Sequence, residues 1–221
     1  TSTVLDRDIA IVIDRSGSMG LDISVSYDGN GQNCGPMDSR TRFAALNTSI
    51  GVFLNELTQT IPEEQVSLVS YSSDFSTRCG NRNMSYSIAS IDRALTFNYS
   101  RITSSMNTFM TNGIGGSTAI GEGLRQGVSA LSGARPYAVK TIILMTDGRH
   151  NLGATPESLV PTARAAGVTI HTITFSPAAD ITRMRAIATS GGGRSFHADT
   201  AGDLTTAFRD IARTLPVLVT D

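Results

Sequence analysis

The stretch DIAIVIDRSGSMG, residues 8–20, decides the fold. Ile9 to Ile13 is an unbroken apolar run dominated by β-branched residues, the pattern of a parallel strand covered on both faces. At Asp14 the character changes. Asp14, Ser16 and Ser18 place oxygen-bearing side chains at every second position. A turn or helix cap, a nucleophile and a metal site all use such residues.

Working outward, similar short runs occur at Val66–Tyr71 (VSLVSY), Thr141–Met145 (TIILM) and Val168–Phe175 (VTIHTITF). Helical spacing lies between them. In Arg42–Leu57, Phe43, Leu46, Ile50, Phe53, Leu54 and Leu57 share one face, and in Thr118–Leu131 so do Ile120, Leu124, Val128 and Leu131. Shorter helices are predicted at Glu157–Ala166 and Ile181–Ala188, and a last one at Ala201–Leu215, closed by Pro216. This alternation predicts an α/β three-layer sandwich with a mostly parallel central sheet. Met84–Ile91 is expected as an antiparallel edge strand beside Val66–Tyr71. With no internal repeat and no long linker, residues 1–221 are expected to be a single domain. Residues 21–40, polar and glycine-rich, read as a structureless inserted loop, and loops of that length are usually functional or stapled.

Composition narrows the function. The 221 residues are 40% hydrophobic and 17% charged, which is globular rather than disordered. A net charge of −1 without any basic run argues against nucleic acid and against an anionic membrane surface. No apolar run approaches the roughly 20 residues of a membrane helix. The chain starts at Thr1, as an excised piece would, so any anchor of the full-length protein is expected outside it. A monomer is expected.

In an open parallel sheet, ligands bind beyond the carboxyl ends of the strands. The first strand delivers Asp14, Ser16 and Ser18 there, and Thr141–Met145 delivers Thr146, Asp147 and Gly148. The turn Gly115–Thr118 places Thr118 on the same edge. Two carboxylates and three hydroxyls are hard oxygen donors suited to Mg²⁺, with Mn²⁺ or Ca²⁺ as alternatives. With so few charges around it, the ion would keep positive charge for a carboxylate supplied by a protein partner.

These residues also resemble a known family. DRSGS at 14–18 is similar to the D-x-S-x-S signature of the von Willebrand factor type A (vWA) domain. GGST at 115–118 and MTDG at 145–148 match its second and third loops in order. The resemblance implies a metal-ion-dependent adhesion site (MIDAS), with Ser16, Ser18 and Thr118 as direct ligands and Asp14 and Asp147 acting largely through water. Within the family, DIAIVIDRSGSM and the closing DLTTAFRDIARTL resemble the vWA domains of bacterial TadG-like pilus-assembly proteins. That implies a non-enzymatic binding module of the cell envelope. Alternatives are an intracellular vWA partner of an ATPase assembly and a metal-assisted hydrolase using His150.

Other chemistries fit less well. No G-x-S-x-G elbow exists, and Ser16 stands where an aspartyl-phosphate site would want a second acid. The glycine-rich segments 113–118 and 191–194 lack a P-loop lysine. DGNGQN at 28–33 lacks the closing glutamate of a calcium loop. Cys34, in the insertion, and Cys79, just beyond Val66–Tyr71, would emerge at one sheet edge if the two strands are parallel neighbours. A Cys34–Cys79 disulfide is expected, pinning the insertion near the sheet edge and implying an extracytoplasmic location; the alternative, two free thiols, would point to the cytosol.

Overall fold

The computed structural model describes residues 2–25, 31–214 and 217–219. Its strands are β1 (Ser2–Val4), β2 (Arg7–Asp14), β3 (Gly31–Asn33), β4 (Gln65–Tyr71), β5 (Phe75–Cys79), β6 (Arg82–Tyr86), β7 (Ala89–Thr96), β8 (Ile114–Gly116), β9 (Val139–Thr146), β10 (Val168–Phe175), β11 (Gly192–Ala198) and β12 (Val217–Val219). Its α-helices are α1 (Arg42–Leu57), α2 (Ser100–Asn112), α3 (Ile120–Ala130), α4 (Pro156–Ala165), α5 (Ile181–Ser190) and α6 (Ala201–Arg213).

Six strands form the central sheet in the order β11-β10-β9-β2-β4-β7, all parallel except β7, which runs antiparallel to β4. Every residue of β2 is buried, as its continuous apolar run requires. Its side chains alternate between two cores. Ile9, Ile11 and Ile13 join a cluster with α1, α2 and α6, where Phe53 and Phe208 meet edge to face at 5.9 Å. Ala10 and Val12 join the opposite cluster with α3, α4 and α5.

Helix α3 lies unusually close to the sheet. A Cβ on Gly123 would come within 2.3 Å of the Tyr71 ring, and one on Gly127 within 2.7 Å of Val12 Cγ2. The close approach needs glycine at both positions, and it brings the turn before α3 against the ends of β2 and β4.

Two expectations are corrected. Met84 lies in β6, which pairs with β5 in a hairpin, and the antiparallel edge strand starts later, at Ala89. The polar composition of Arg82–Thr96 hid the turn between them. A 3₁₀ turn covers Gly17–Gly20, just before the insertion, and the insertion itself is not structureless, because its residues Gly31–Asn33 form β3 and pair antiparallel with β8. Residues 28–30 of the calcium-like loop, and Leu215 and Pro216 at the end of the last predicted helix, lie outside the described residues. The mixed sequences of α2 and β11 gave no clear sequence signal. Among the described residues, no helix is long and apolar enough to cross a membrane.

Candidate metal centre

The parallel pairing of β2 with β4 and β9 brings three loops to one edge. Past Asp14 the chain turns into the 3₁₀ segment, which leaves Ser16 and Ser18 buried beside Asp14. Asp14 Oδ1 accepts from the Ser16 amide at 2.8 Å, and its other oxygen accepts from the Thr146 hydroxyl at 2.8 Å. The Ser16 and Ser18 hydroxyl oxygens are 3.2 Å apart. Ser18 donates to Asp147 Oδ1 at 2.7 Å. Asp147 Oδ2 accepts from Arg42 at 2.7 Å, in an ion pair whose side chains are both fully buried.

Thr118 reaches this edge through backbone bonds. The Gly115 amide donates to the Arg15 carbonyl at 3.1 Å, and Ala119 donates to the Ser72 carbonyl at 3.1 Å. Asn151 clasps Thr118 from the other side, its side chain accepting from the Thr118 amide at 2.8 Å and its own amide donating to the Thr118 carbonyl at 3.0 Å. Among the described residues, the Thr118 hydroxyl makes no hydrogen bond and is left available.

The structure therefore links Asp14, Ser16, Ser18 and Asp147 in one polar chain and holds Thr118 on the adjoining loop. Burial raises the Asp14 carboxyl above its usual range. Burial, reinforced by the Asp14 charge, pushes Asp147 up to about 7 against the pull of Arg42 and Ser18. A cation among the hydroxyls would favour both ionised forms. Among the described residues, no three of His, Cys, Asp and Glu gather as a metal-binding group. The donor set is thus hydroxyl oxygen backed by two carboxylates, which fits a small hard cation rather than a soft one.

Two arginines complete the surroundings, and sequence reasoning missed both. Arg42 opens α1, where a positive charge opposes the helix dipole; that mismatch was the available signal. Arg15, fully buried, bonds the hydroxyls of Ser70 and Ser72 and the Ser87 carbonyl, and stacks 4.5 Å from the Tyr86 ring centroid. Cys34 and Cys79 are joined by a disulfide with Cα atoms 5.4 Å apart, fastening the insertion to the β5–β6 hairpin. Arg82 strengthens this junction by donating to the Cys34 and Asn112 carbonyls.

His150 does not join the serines. Burial and Arg183 lower its pKa, and no hydrogen bond links it to Ser16 or Ser18. One hydroxyl–histidine–carboxylate chain does exist, Thr174–His197–Asp199, with 2.8 Å and 3.0 Å contacts. Its hydroxyl is sealed within β10, out of reach of a substrate.

Comparison with family models matches residues 8–210 to the von Willebrand factor type A domain. The chain belongs to this family. The vWA structure from Catenulispora acidiphila superposes with a TM-score of 0.68 at 19% identity, over 96% of this chain and 43% of that one. Proximal thread matrix protein 1 of the mussel byssus, solved with a zinc-occupied MIDAS motif, gives 0.63 at 21%, over 96% and 47%. The pilus adhesin SpaC of Lactobacillus rhamnosus GG gives 0.66 at 19%, over 95% and 30%. These likenesses show the vWA fold, and the chain spans less than half the length of each of these three. No curated protein sequence matches.

Proposed function

We propose that this vWA domain is a protein-binding module that holds one divalent cation, Mg²⁺ by preference, at Asp14, Ser16, Ser18, Thr118 and Asp147. The observation that carries the reading is the division of labour among these groups. Both carboxylates have their oxygens engaged by protein donors, while Ser16, Ser18 and Thr118 offer neutral hydroxyls. A cation held mainly by hydroxyls and water stays electrophilic and takes a carboxylate from an acidic residue of a partner. The zinc-occupied MIDAS of the byssus protein and the adhesin role of SpaC, both on the same fold, support this reading.

The Cys34–Cys79 disulfide supports a location in an oxidising, extracytoplasmic compartment, and hence a cell-envelope binding role over an intracellular ATPase partner. A role in bacterial pilus assembly rests on the sequence likeness of the two chain ends alone. A hydrolase has less support, because among the described residues no serine hydrogen-bonds His150, whose buried Nδ1 has no partner there.

The test is capture of partner protein from the intact envelope with and without EDTA. Asp14→Ala and Thr118→Ala are each expected to abolish Mg²⁺-dependent capture while leaving the circular-dichroism spectrum unchanged. Capture that survives both substitutions and EDTA overturns the reading.

A further inference from the structure

Resting on the metal-centre reading, the geometry points to Arg42 as the residue that sets the charge of the centre. It cancels Asp147 and keeps that carboxylate out of the coordination sphere, so that a bound divalent cation retains surplus positive charge for an anionic partner group.

The argument starts from burial. Arg42 and Asp147 are both fully buried, so neither charge is screened by water. Removing two charges from water is costly and is tolerated only with good geometry. Here Arg42 meets Asp147 Oδ2 at 2.7 Å and also donates to the Val25 carbonyl of the insertion. The other Asp147 oxygen is taken by Ser18. With both oxygens occupied, Asp147 orients the Ser18 hydroxyl rather than facing an ion. The contact also explains why a cation sits in the first turn of α1, where the helix dipole disfavours it.

Charge counting gives the consequence. Asp14 and Asp147 bring two negative charges to the edge, and Arg42, ion-paired with Asp147, brings one positive. With Asp147 cancelled, only the Asp14 charge is left to offset a divalent cation, which therefore leaves the centre net positive. Such a centre holds its cation weakly alone and more tightly with an anion, and by linkage the anion gains equally from the cation. Arg42 thus trades metal affinity for partner affinity. It acts through Asp147 and is a positioning residue.

The experiment is isothermal titration of the purified chain with Mg²⁺, then of the Mg²⁺-loaded chain with a short glutamate-containing peptide. Arg42→Met is expected to tighten Mg²⁺ binding by about tenfold or more and to weaken peptide binding. Arg42→Lys keeps the charge and is expected to stay within about threefold of wild type in both. Because Arg42→Met leaves a buried charge that can prevent folding, Arg42→Met/Asp147→Asn serves as the second variant. Losing both charges, it is expected to bind Mg²⁺ nearly as the wild type does, whereas Asp147→Asn alone binds more weakly.

If the wild type binds Mg²⁺ and the double variant loses it as fully as Asp147→Asn does, Asp147 is itself a ligand and the Arg42 inference is overturned. Unchanged or weaker Mg²⁺ binding by folded Arg42→Met overturns it too. Failure of the wild type to bind Mg²⁺ or Mn²⁺ overturns the metal-centre reading itself.

Discussion

The Ser18 hydroxyl donates to Asp147 Oδ1 at 2.7 Å, joining the loops after β2 and β9 across 129 residues of sequence. The bond ties two neighbouring strands of the parallel sheet together at their carboxyl ends and aims the serine oxygen toward Ser16. Ser18→Ala removes a proposed ligand and strips a buried carboxylate of a donor, which costs about 1–3 kcal/mol. The expected outcome is a lower melting temperature and loss of the Mg²⁺-induced rise expected of the wild type. Ser18→Thr retains the hydroxyl and should restore part of that rise. Thermal melts with and without Mg²⁺ check both.

Much of the sheet, and the meeting of three loops at its edge, was legible because both are written in local sequence. The apolar runs at 8–14, 141–145 and 168–175 are strands, and the three loops carrying Asp14, Thr118 and Asp147 do converge. What escaped notice depends on partners distant in sequence. Nothing near Arg42 announces Asp147, 105 residues away. The pairing of β3 with β8 is three residues long in polar, glycine-rich chain, where side-chain period carries no information. Helix α2 has buried apolar positions at Ile102, Met106 and Phe109, but serine, threonine and asparagine fill most of the rest. These residues are poor helix formers, so the apolar stripe alone was too thin a signal.

The disulfide supplies a prediction about stability. It closes a loop between residues 45 apart, and chain entropy alone gives about 4 kcal/mol for such a loop. The Cys34→Ser/Cys79→Ser variant should unfold at correspondingly lower urea. Since β3 follows directly into Cys34 and pairs with the strand leading to Thr118, its Mg²⁺ affinity should also fall. Unchanged affinity in the folded variant would separate the staple from the centre.

Packing beneath α3 supplies another. Gly123→Ala drives a methyl into the fully buried Tyr71 ring, whose hydroxyl is fixed to the Met145 carbonyl at 2.7 Å. Overpacking of this kind costs about 1–3 kcal/mol. The helix can escape only by lifting, which moves Thr118 at its start. Both stability and Mg²⁺ affinity are expected to drop together, as measured by denaturation and calorimetry on the same sample.

A control lies at the opposite end of the sheet. Arg7 pairs with buried Glu64 at 3.1 Å and donates to the Ala212 and Thr214 carbonyls, closing the end of α6. Arg7→Met should destabilise by about 3–5 kcal/mol, because it leaves Glu64 charged and buried. Mg²⁺ affinity of the folded fraction should be unchanged. A parallel loss of affinity would mean that α6 is coupled to the metal edge.

His171, on β10, makes the stability pH-dependent. Burial, and then the charges of Arg7 and Arg194, hold its imidazole below the usual histidine range. Its Nδ1 accepts from the Arg194 amide at 3.0 Å, a bond that protonation at that nitrogen removes. The folded pKa is depressed, so the unfolded chain takes up the proton first as pH falls. The contribution is therefore complete above the unfolded value of about 6.5 and is lost as pH drops through the folded value. Urea midpoints of the wild type should fall between pH 7 and pH 5 more steeply than those of His171→Gln, which cannot titrate. Coincident slopes would show that the acid sensitivity arises elsewhere.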